Sequence, residues 1–214
     1  MDRIVLHNVL PDAFAHAQQL NSDIWGCDLT FHRGESYLIV ANSGMGKSSL
    51  CHYLIGYRDD YSGTICFDGT DIKRLGSSQW NDIRKRHISY LFQELRLFPE
   101  LTSLQNVLLK NHLTSHLTLS RIEEMFGQMG LTDKMHTLCG EMSFGQQQRV
   151  AAIRALAQPF DFLLLDEPIS HLDNKNADAM ISMIQEEVQR QGASLITTSI
   201  GRHTNTHYST IYNL

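Results

Sequence analysis

Lys47 and Ser48 follow a glycine-bearing loop, Ala41-Asn42-Ser43-Gly44-Met45-Gly46, and they open a segment, Ser48 to Ile55, that reads as a helix. An ammonium and a hydroxyl in that place suit a phosphate chain. The lysine reaches terminal phosphates, and the hydroxyl ligates Mg²⁺. The loop's backbone N–H groups and the start of the helix point at the same anion, which the helix dipole favours. Gly44 and Gly46 allow backbone conformations and approaches that a Cβ would block. The pattern is G-x-x-x-x-G-K-[ST], with Ala41 where the first glycine would stand. A second group of reactive residues is Asp166-Glu167, at the end of the apolar run Phe162 to Leu165. A carboxylate at the end of a buried strand lies where α/β proteins bind ligands. Asp166 there is placed to hold Mg²⁺ through water, opposite Ser48. Glu167 is placed to orient or deprotonate an attacking water. A third stretch, Met142-Ser143-Phe144-Gly145-Gln146, reads as another anion-facing helix start. Two such helix ends are redundant for one nucleotide in one cradle. They make sense if two copies meet and each closes the other's ligand.

These residues need strands and helices to hold them. Ser36 to Val40 is expected to be the buried strand that feeds the phosphate loop. Arg3 to Val9 and Ile24 to Phe31 read as strands, with Pro11 to Asn21 a loop or short helix containing Phe14. Gly63 to Phe67 reads as a strand ending in an Asp68-Gly69 hairpin turn. Ser77 to Arg86 is expected to be a helix and His87 to Phe92 a strand ending at Gln93. From Thr102 to Leu138 the apolar spacing becomes helical, which predicts an inserted helical subdomain. Gln146 to Ala157 is expected to be a helix that stops before Pro159. Ala177 to Arg190 reads as an amphipathic helix stopped at Gly192. Leu195 to Thr198 and Thr210 to Leu214 close the list of strands, the last at a sheet edge. Alternating strands and helices argue for an α/β fold with a mainly parallel sheet.

Composition narrows the function classes. The chain has 214 residues, 42% of them hydrophobic, enough for one large domain. A formal charge of -5 implies no general affinity for nucleic acid. No apolar run approaches the ~20 residues that cross a bilayer, and the first residues do not read as a secretory signal. Cys27, Cys51, Cys66 and Cys139 are widely spaced and read as buried reduced thiols. The pairs His112/His116 and His203/His207 have the i, i+4 spacing of helical metal ligands, but surface polarity accounts for them.

Taken together, the motifs resemble the ATP-binding-cassette (ABC) ATPases over nearly the whole chain. The carried elements are the Walker A stretch Ala41–Ser49, the Q-loop Gln93, the signature Met142–Gln146, the Walker B residues Asp166 and Glu167, and the D-loop Ser170-His171-Leu172-Asp173. Phe92 to Thr102 looks most like the branch that serves lipoprotein release, macrolide export and cell division. The resemblance implies a P-loop NTPase core (1–92 and 150–214) with an antiparallel β subdomain, and a helical subdomain at 93–149. It implies ATP and Mg²⁺ as cofactors, and a head-to-tail dimer with itself or a second ABC ATPase. It also implies an integral membrane permease subunit as partner, and a cytoplasmic chain peripheral on the inner face of the cell membrane. By motif match Asn42, Ser43, Gly44, Met45, Gly46, Lys47, Ser48 and Ser49 hold the nucleotide, and Ser48, Gln93 and Asp166 the metal. Ser143, Gly145 and Gln146 reach the γ-phosphate across the dimer, and Asp173 lies in the loop facing the opposite site. Glu167 is implied as general base, with Gln93 sensing metal and water. Phe14 is the candidate for stacking on adenine, with Trp25 the competitor. The family's switch histidine falls at Ser199, which predicts ATP binding with slow hydrolysis, His203 standing four residues on. Phe144 at the third signature position is a milder departure. The competing reading is a non-hydrolysing regulatory ATP-binding module. A permease segment is expected to dock near Leu95 to Leu101.

Overall fold

The computed structural model describes residues 1–16, 20–200 and 207–214. Two sheets share the molecule. The smaller has the order β2-β1-β4-β5 and is antiparallel. Its strands are β1 (Arg3–Pro11), β2 (Leu29–His32), β4 (Tyr61–Phe67) and β5 (Thr70–Asp71). The larger is all parallel, in the order β6-β7-β8-β3-β9. It is built from β3 (Ser36–Val40), β6 (Ile88–Leu91), β7 (Phe162–Asp166), β8 (Ser194–Ser199) and the edge strand β9 (Thr210–Asn213). The helices are α1 (Lys47–Leu54), α2 (Ser77–Arg86), α3 (Ser103–Asn111), α4 (Leu119–Gln128), α5 (Phe144–Leu156) and α6 (Asn174–Gln191). This is the α/β P-loop NTPase fold, with a mainly parallel sheet, an antiparallel sheet and a helical segment between β6 and β7.

Strand β7 shows why its sequence is apolar throughout. Successive side chains of a strand point to opposite faces, and here each face has its own core. Phe162 and Leu164 join Ile196, Tyr53 and the antiparallel sheet, while Leu163 and Leu165 join α4, α5 and α6. A strand covered on both sides has no polar face to show.

Register then positions the chemistry. Val40 pairs with Ser199, and Asp166 with Thr198, so β3, β7 and β8 end together at the middle of the sheet. The helices around this edge are held by their own caps. Thr102 and Gln105 form a reciprocal capping box on α3, and Thr118 accepts from the Arg121 amide on α4. Helix α6 runs to Gly192, whose φ of 58° gives the left-handed stop the sequence suggested. Asp68 and Gly69, at φ 47° and 86°, make the expected hairpin.

Some expectations are corrected. The second strand begins at Leu29, not Ile24. The Ser22 hydroxyl accepts the amides of Ile24 and Trp25 at 3.1 and 2.8 Å, so these buried residues are turned by a local serine rather than paired in a ladder. Only Cys51 and Cys139 are buried; Cys27 and Cys66 are half-buried, and all are free thiols. Leu95 is 3% exposed and packs in the core, so the apolar face near it is carried by Phe98 instead, at 54%. His112 only closes α3, and His116 lies beyond it beside Glu187.

Candidate functional site

Helix α1 starts with Gly46 at φ 95° and with no side-chain cap, leaving its first-turn amides to face a ligand. A Cβ on Gly46 would stand 3.0 Å from Trp25 Cζ2 and 3.2 Å from Phe14 Cε2. The two aromatic residues therefore define how closely the loop lies on the sheet behind it. Trp25 is buried, donates its indole N–H to the Met45 carbonyl at 3.0 Å and meets Tyr53 edge-on. Phe14 is half-buried and lines the loop's cavity; Trp25 does not.

That cavity, of about 310 Å³, is walled by Ser43, Gly44 and Gly46 to Ser49, with Phe14, Gln93 and Glu167 around them. Lys47 is 5% exposed. Its ammonium donates to the carbonyls of Ala41 and Asn42 at 2.9 and 3.0 Å, and stands 3.5 Å from Glu167 Oε1. These carbonyls hold the cation over the loop. Asn42 and Met45 act through their main chains, and neither lines the cavity. Glu167 itself has φ 50°, a left-handed backbone uncommon for a side chain of this kind. Its amide donates to the Thr198 carbonyl at 3.2 Å, which fixes the turn.

Asp166 is 2% exposed, and both its oxygens are engaged. Oδ1 accepts from the Thr198 hydroxyl at 2.6 Å and Oδ2 from the Tyr90 hydroxyl at 3.0 Å. Burial first, then the nearby Cys51 and Asp166, push the Tyr90 phenol far up, so it stays a donor. Burial likewise pushes the Cys51 thiol up and keeps it inert. Sequence reasoning missed Tyr90. Its only signal is the β6–β7 register, which no local pattern encodes. Ser48, Gln93 and Asp166 supply hydroxyl, amide and carboxylate oxygens, a hard donor set that suits Mg²⁺. No cluster of His, Cys, Asp and Glu able to hold a metal by itself occurs among the described residues.

Ser199 is 7% exposed at the end of β8, and its carbonyl accepts the Ala41 amide at 3.1 Å. It lines a second cavity, of about 200 Å³, shared with Glu167, Thr197, Ile200 and Tyr208. His203 lies outside the described residues.

The helix start of α5 is built differently. The Ser143 hydroxyl accepts the Gln146 amide at 3.4 Å, and Gln146 Oε1 accepts the Ser143 amide at 3.0 Å. A capping box closes this end, holding Gln146 back against its own helix. Gly145 lies under the following loop: a Cβ there would be 3.4 Å from Leu172 Cδ2 and 3.5 Å from the His171 carbonyl oxygen. Phe144, 44% exposed, meets the His171 ring edge-on at 4.6 Å. Asp173 caps α6, accepting the Asn176 amide and side chain at 2.8 and 2.7 Å, and these bonds hold its carboxyl below the ordinary range. Among the described residues, Ser143, Gly145, Gln146 and Asp173 take no part in the Lys47 cavity.

The model of the ABC transporter family matches residues 25–170. The lipoprotein-releasing system ATP-binding protein LolD of Shewanella frigidimarina is 32% identical over 177 residues, 81% of this chain and 74% of that protein. The thiamine import ATP-binding protein ThiQ of Escherichia coli is 37% identical over 176 residues, 80% of this chain and 72% of its own length. Among solved structures, the dimeric structure of MJ0796, described as a bacterial ABC transporter cassette, superimposes with a TM-score of 0.78 at 25% identity. It covers 92% of this chain and 88% of that one.

Proposed function

Because this chain belongs to the ABC transporter family of ATPases, we propose that it is the ATP-binding and hydrolysing subunit of a transporter or mechanotransmission complex. The observation that carries the reading is the meeting of Lys47 and Glu167, 3.5 Å apart, beside an uncapped helix start. Lys47 neutralises terminal phosphates, and the amides of Gly46 to Ser49 cradle them. Phe14 receives the base. Asn42, Ser43, Gly44 and Met45 shape the loop. Ser48, Gln93 and Asp166 would hold Mg²⁺, which when bound neutralises charge between phosphates. Glu167 takes the proton of the attacking water, and its strained backbone keeps the carboxylate aimed at that spot. Ser199 borders the neighbouring cavity, which shares Glu167 and Ile200 with that of Lys47, and it brings only a neutral hydroxyl where the family has an imidazole, so hydrolysis is slow.

Ser143, Gly145, Gln146 and Asp173 complete the site of a second copy, in a head-to-tail dimer with itself or another ABC ATPase. Their separation from the Lys47 cavity within one chain supports this pairing. We divide the chain into a core, 1–92 and 150–214, and a helical subdomain, 93–149. No helix among the described residues is long and apolar enough to cross a membrane. The chain acts from the cytoplasmic face, on a separate permease subunit. The permease docks in a groove of about 280 Å³ where Tyr57, Phe98, Leu109 and Leu113 are exposed. Arg154 holds that groove's rim through the carbonyls of Leu95 and Arg96.

The test is light scattering with and without ATP on the Glu167→Gln protein, beside phosphate release by the wild type. ATP-dependent dimers and Glu167-dependent release support the reading; a protein that ignores ATP ends it. A second reading, a regulatory module that binds ATP without hydrolysing it, is favoured by Ser199 alone. Wild-type release equal to that of Glu167→Gln would select it.

A further inference from the structure

Arg58 belongs to no motif legible in the sequence, yet it lines the same cavity as Lys47, Ser48 and Ser49. Its guanidinium is fixed from one side by the Asp60 carboxylate. Nε donates to Oδ1 at 2.8 Å, and Nη2 to Oδ2. From the other side Nη1 donates to the Ser49 hydroxyl oxygen at 3.1 Å. A guanidinium has five N–H donors. This arrangement leaves hydrogens on Nη1 and Nη2 for a further acceptor. The Ser49 hydroxyl accepts here through a lone pair, and its O–H remains a donor of its own.

The place of Arg58 along the cavity follows from its neighbours. Lys47 and Glu167 mark the terminal-phosphate end. Phe14 marks the other, and its short helix, Asp12–Phe14, is joined to Arg58's own partner. The Asp12 amide donates to the Asp60 carbonyl at 3.0 Å, and Pro11 pairs with Tyr61. Arg58 therefore stands toward the base.

Resting on the nucleotide reading above, we infer that Arg58 is a second phosphate-binding cation, which with the Ser49 hydroxyl grips the phosphate nearest the base of a bound nucleoside di- or triphosphate. Asp60 holds the guanidinium still, so little side-chain freedom is lost on binding. Lys47 serves the phosphates that hydrolysis changes. Arg58 serves the one it leaves alone, so its grip is the same before and after the reaction. It sets affinity and not rate.

The test measures ATP and ADP dissociation constants by calorimetry in the Glu167→Gln background, for Arg58→Ala, Arg58→Gln and Lys47→Ala. It adds steady-state phosphate release in the Glu167 protein. A charge-assisted hydrogen bond at a partly exposed site corresponds to roughly a tenfold loss. Arg58→Ala should weaken ATP and ADP by that same factor, raise KM and leave kcat within about twofold. Ser49→Ala added to Arg58→Ala should cost less than it does alone, since the two act as one chain of donors. If Arg58→Ala lowers the melting temperature sharply, Arg58→Gln, closer in shape and uncharged, carries the comparison. Unchanged ADP affinity, or a loss confined to ATP, overturns the inference. Binding that is lost in Lys47→Ala but intact in Arg58→Ala overturns it alone. Wild-type protein blind to both nucleotides overturns the nucleotide reading with it.

Discussion

Replacing Ser199 by histidine should raise phosphate release about tenfold. The backbone there is fixed: Ser199 pairs with Val40, and its carbonyl accepts the Ala41 amide at 3.1 Å. The new side chain therefore starts from a known point beside the phosphate loop. It has room, since Ser199 borders a cavity of about 200 Å³ shared with Glu167. Overpacking, the usual penalty of a larger side chain, is thereby avoided. A neutral hydrogen bond contributes about 0.5–1.5 kcal/mol and one to a charged group about 1.5–3 kcal/mol. An imidazole N–H facing developing phosphoryl charge gains the difference, about 1.3 kcal/mol between the middles of the two ranges, which is about tenfold in rate. The gain arises in the transition state, so kcat moves and ATP affinity does not. The assay is phosphate release at saturating ATP for wild type and Ser199→His, each subtracted by its Glu167→Gln counterpart. Turnover within about twofold of wild type, with ATP affinity and melting temperature intact, refutes the reasoning that Ser199 limits hydrolysis.

Glu187 is fully buried on α6, and hydrogen bonds set its charge. Burial pushes its carboxyl up, but His116, Arg190 and Gln191 outweigh burial and bring it from 4.5 to about 2. A depressed folded value contributes stability above pH ~4.5 that is lost as pH falls toward 2, about 3 kcal/mol in all. Urea midpoints at pH 7, 4 and 3 should show wild type losing its advantage over Glu187→Gln across that window; a constant gap would contradict it. Leu113→Glu, 49% exposed in the docking groove, should abolish co-purification with the membrane subunit while ATP affinity stays within about twofold. Unimpaired co-purification would move the docking site elsewhere.

What the sequence made legible was local. The apolar run Phe162 to Leu165 announces a doubly covered strand. Gly192 and Asp68-Gly69 announce a helix stop and a turn, each by its own backbone demand. What escaped depends on residues brought together from afar. Ile24 and Trp25 alternate like a strand, yet the Ser22 hydroxyl turns them. Tyr90 reaches Asp166 only through the pairing of β6 with β7. Arg58 meets Ser49 only because the chain after α1 folds back on that helix. In the candidate site the phosphate loop and the acidic strand end were readable as motifs. Ser143 was readable as an N-cap as well as an anion-facing residue, and the structure adds Gln146 as the other half of the capping box.

That capping box permits a sharper test of the shared site. Helix α1 begins uncapped, whereas α5 caps itself. A helix end that needs no ligand for its own stability makes contact with one optional, and it waits for another molecule. The Ser143 hydroxyl has two roles: it accepts the Gln146 amide within the chain, and it is proposed to donate to the phosphate of a mate. Glycine separates them. It is tolerated at an N-cap at a cost of only a few tenths of a kcal/mol, whereas alanine costs about 1 kcal/mol. Ser143→Gly should therefore melt close to wild type yet fail to dimerise with ATP in the Glu167→Gln background. Lys47→Ala should fail as well, for loss of the other half. Mixed, the two variants assemble one site from an intact Lys47 and an intact Ser143, and ATP-dependent dimers should return. If both groups served a nucleotide within one chain, every chain in the mixture would still lack one of them. Mixing would then restore nothing.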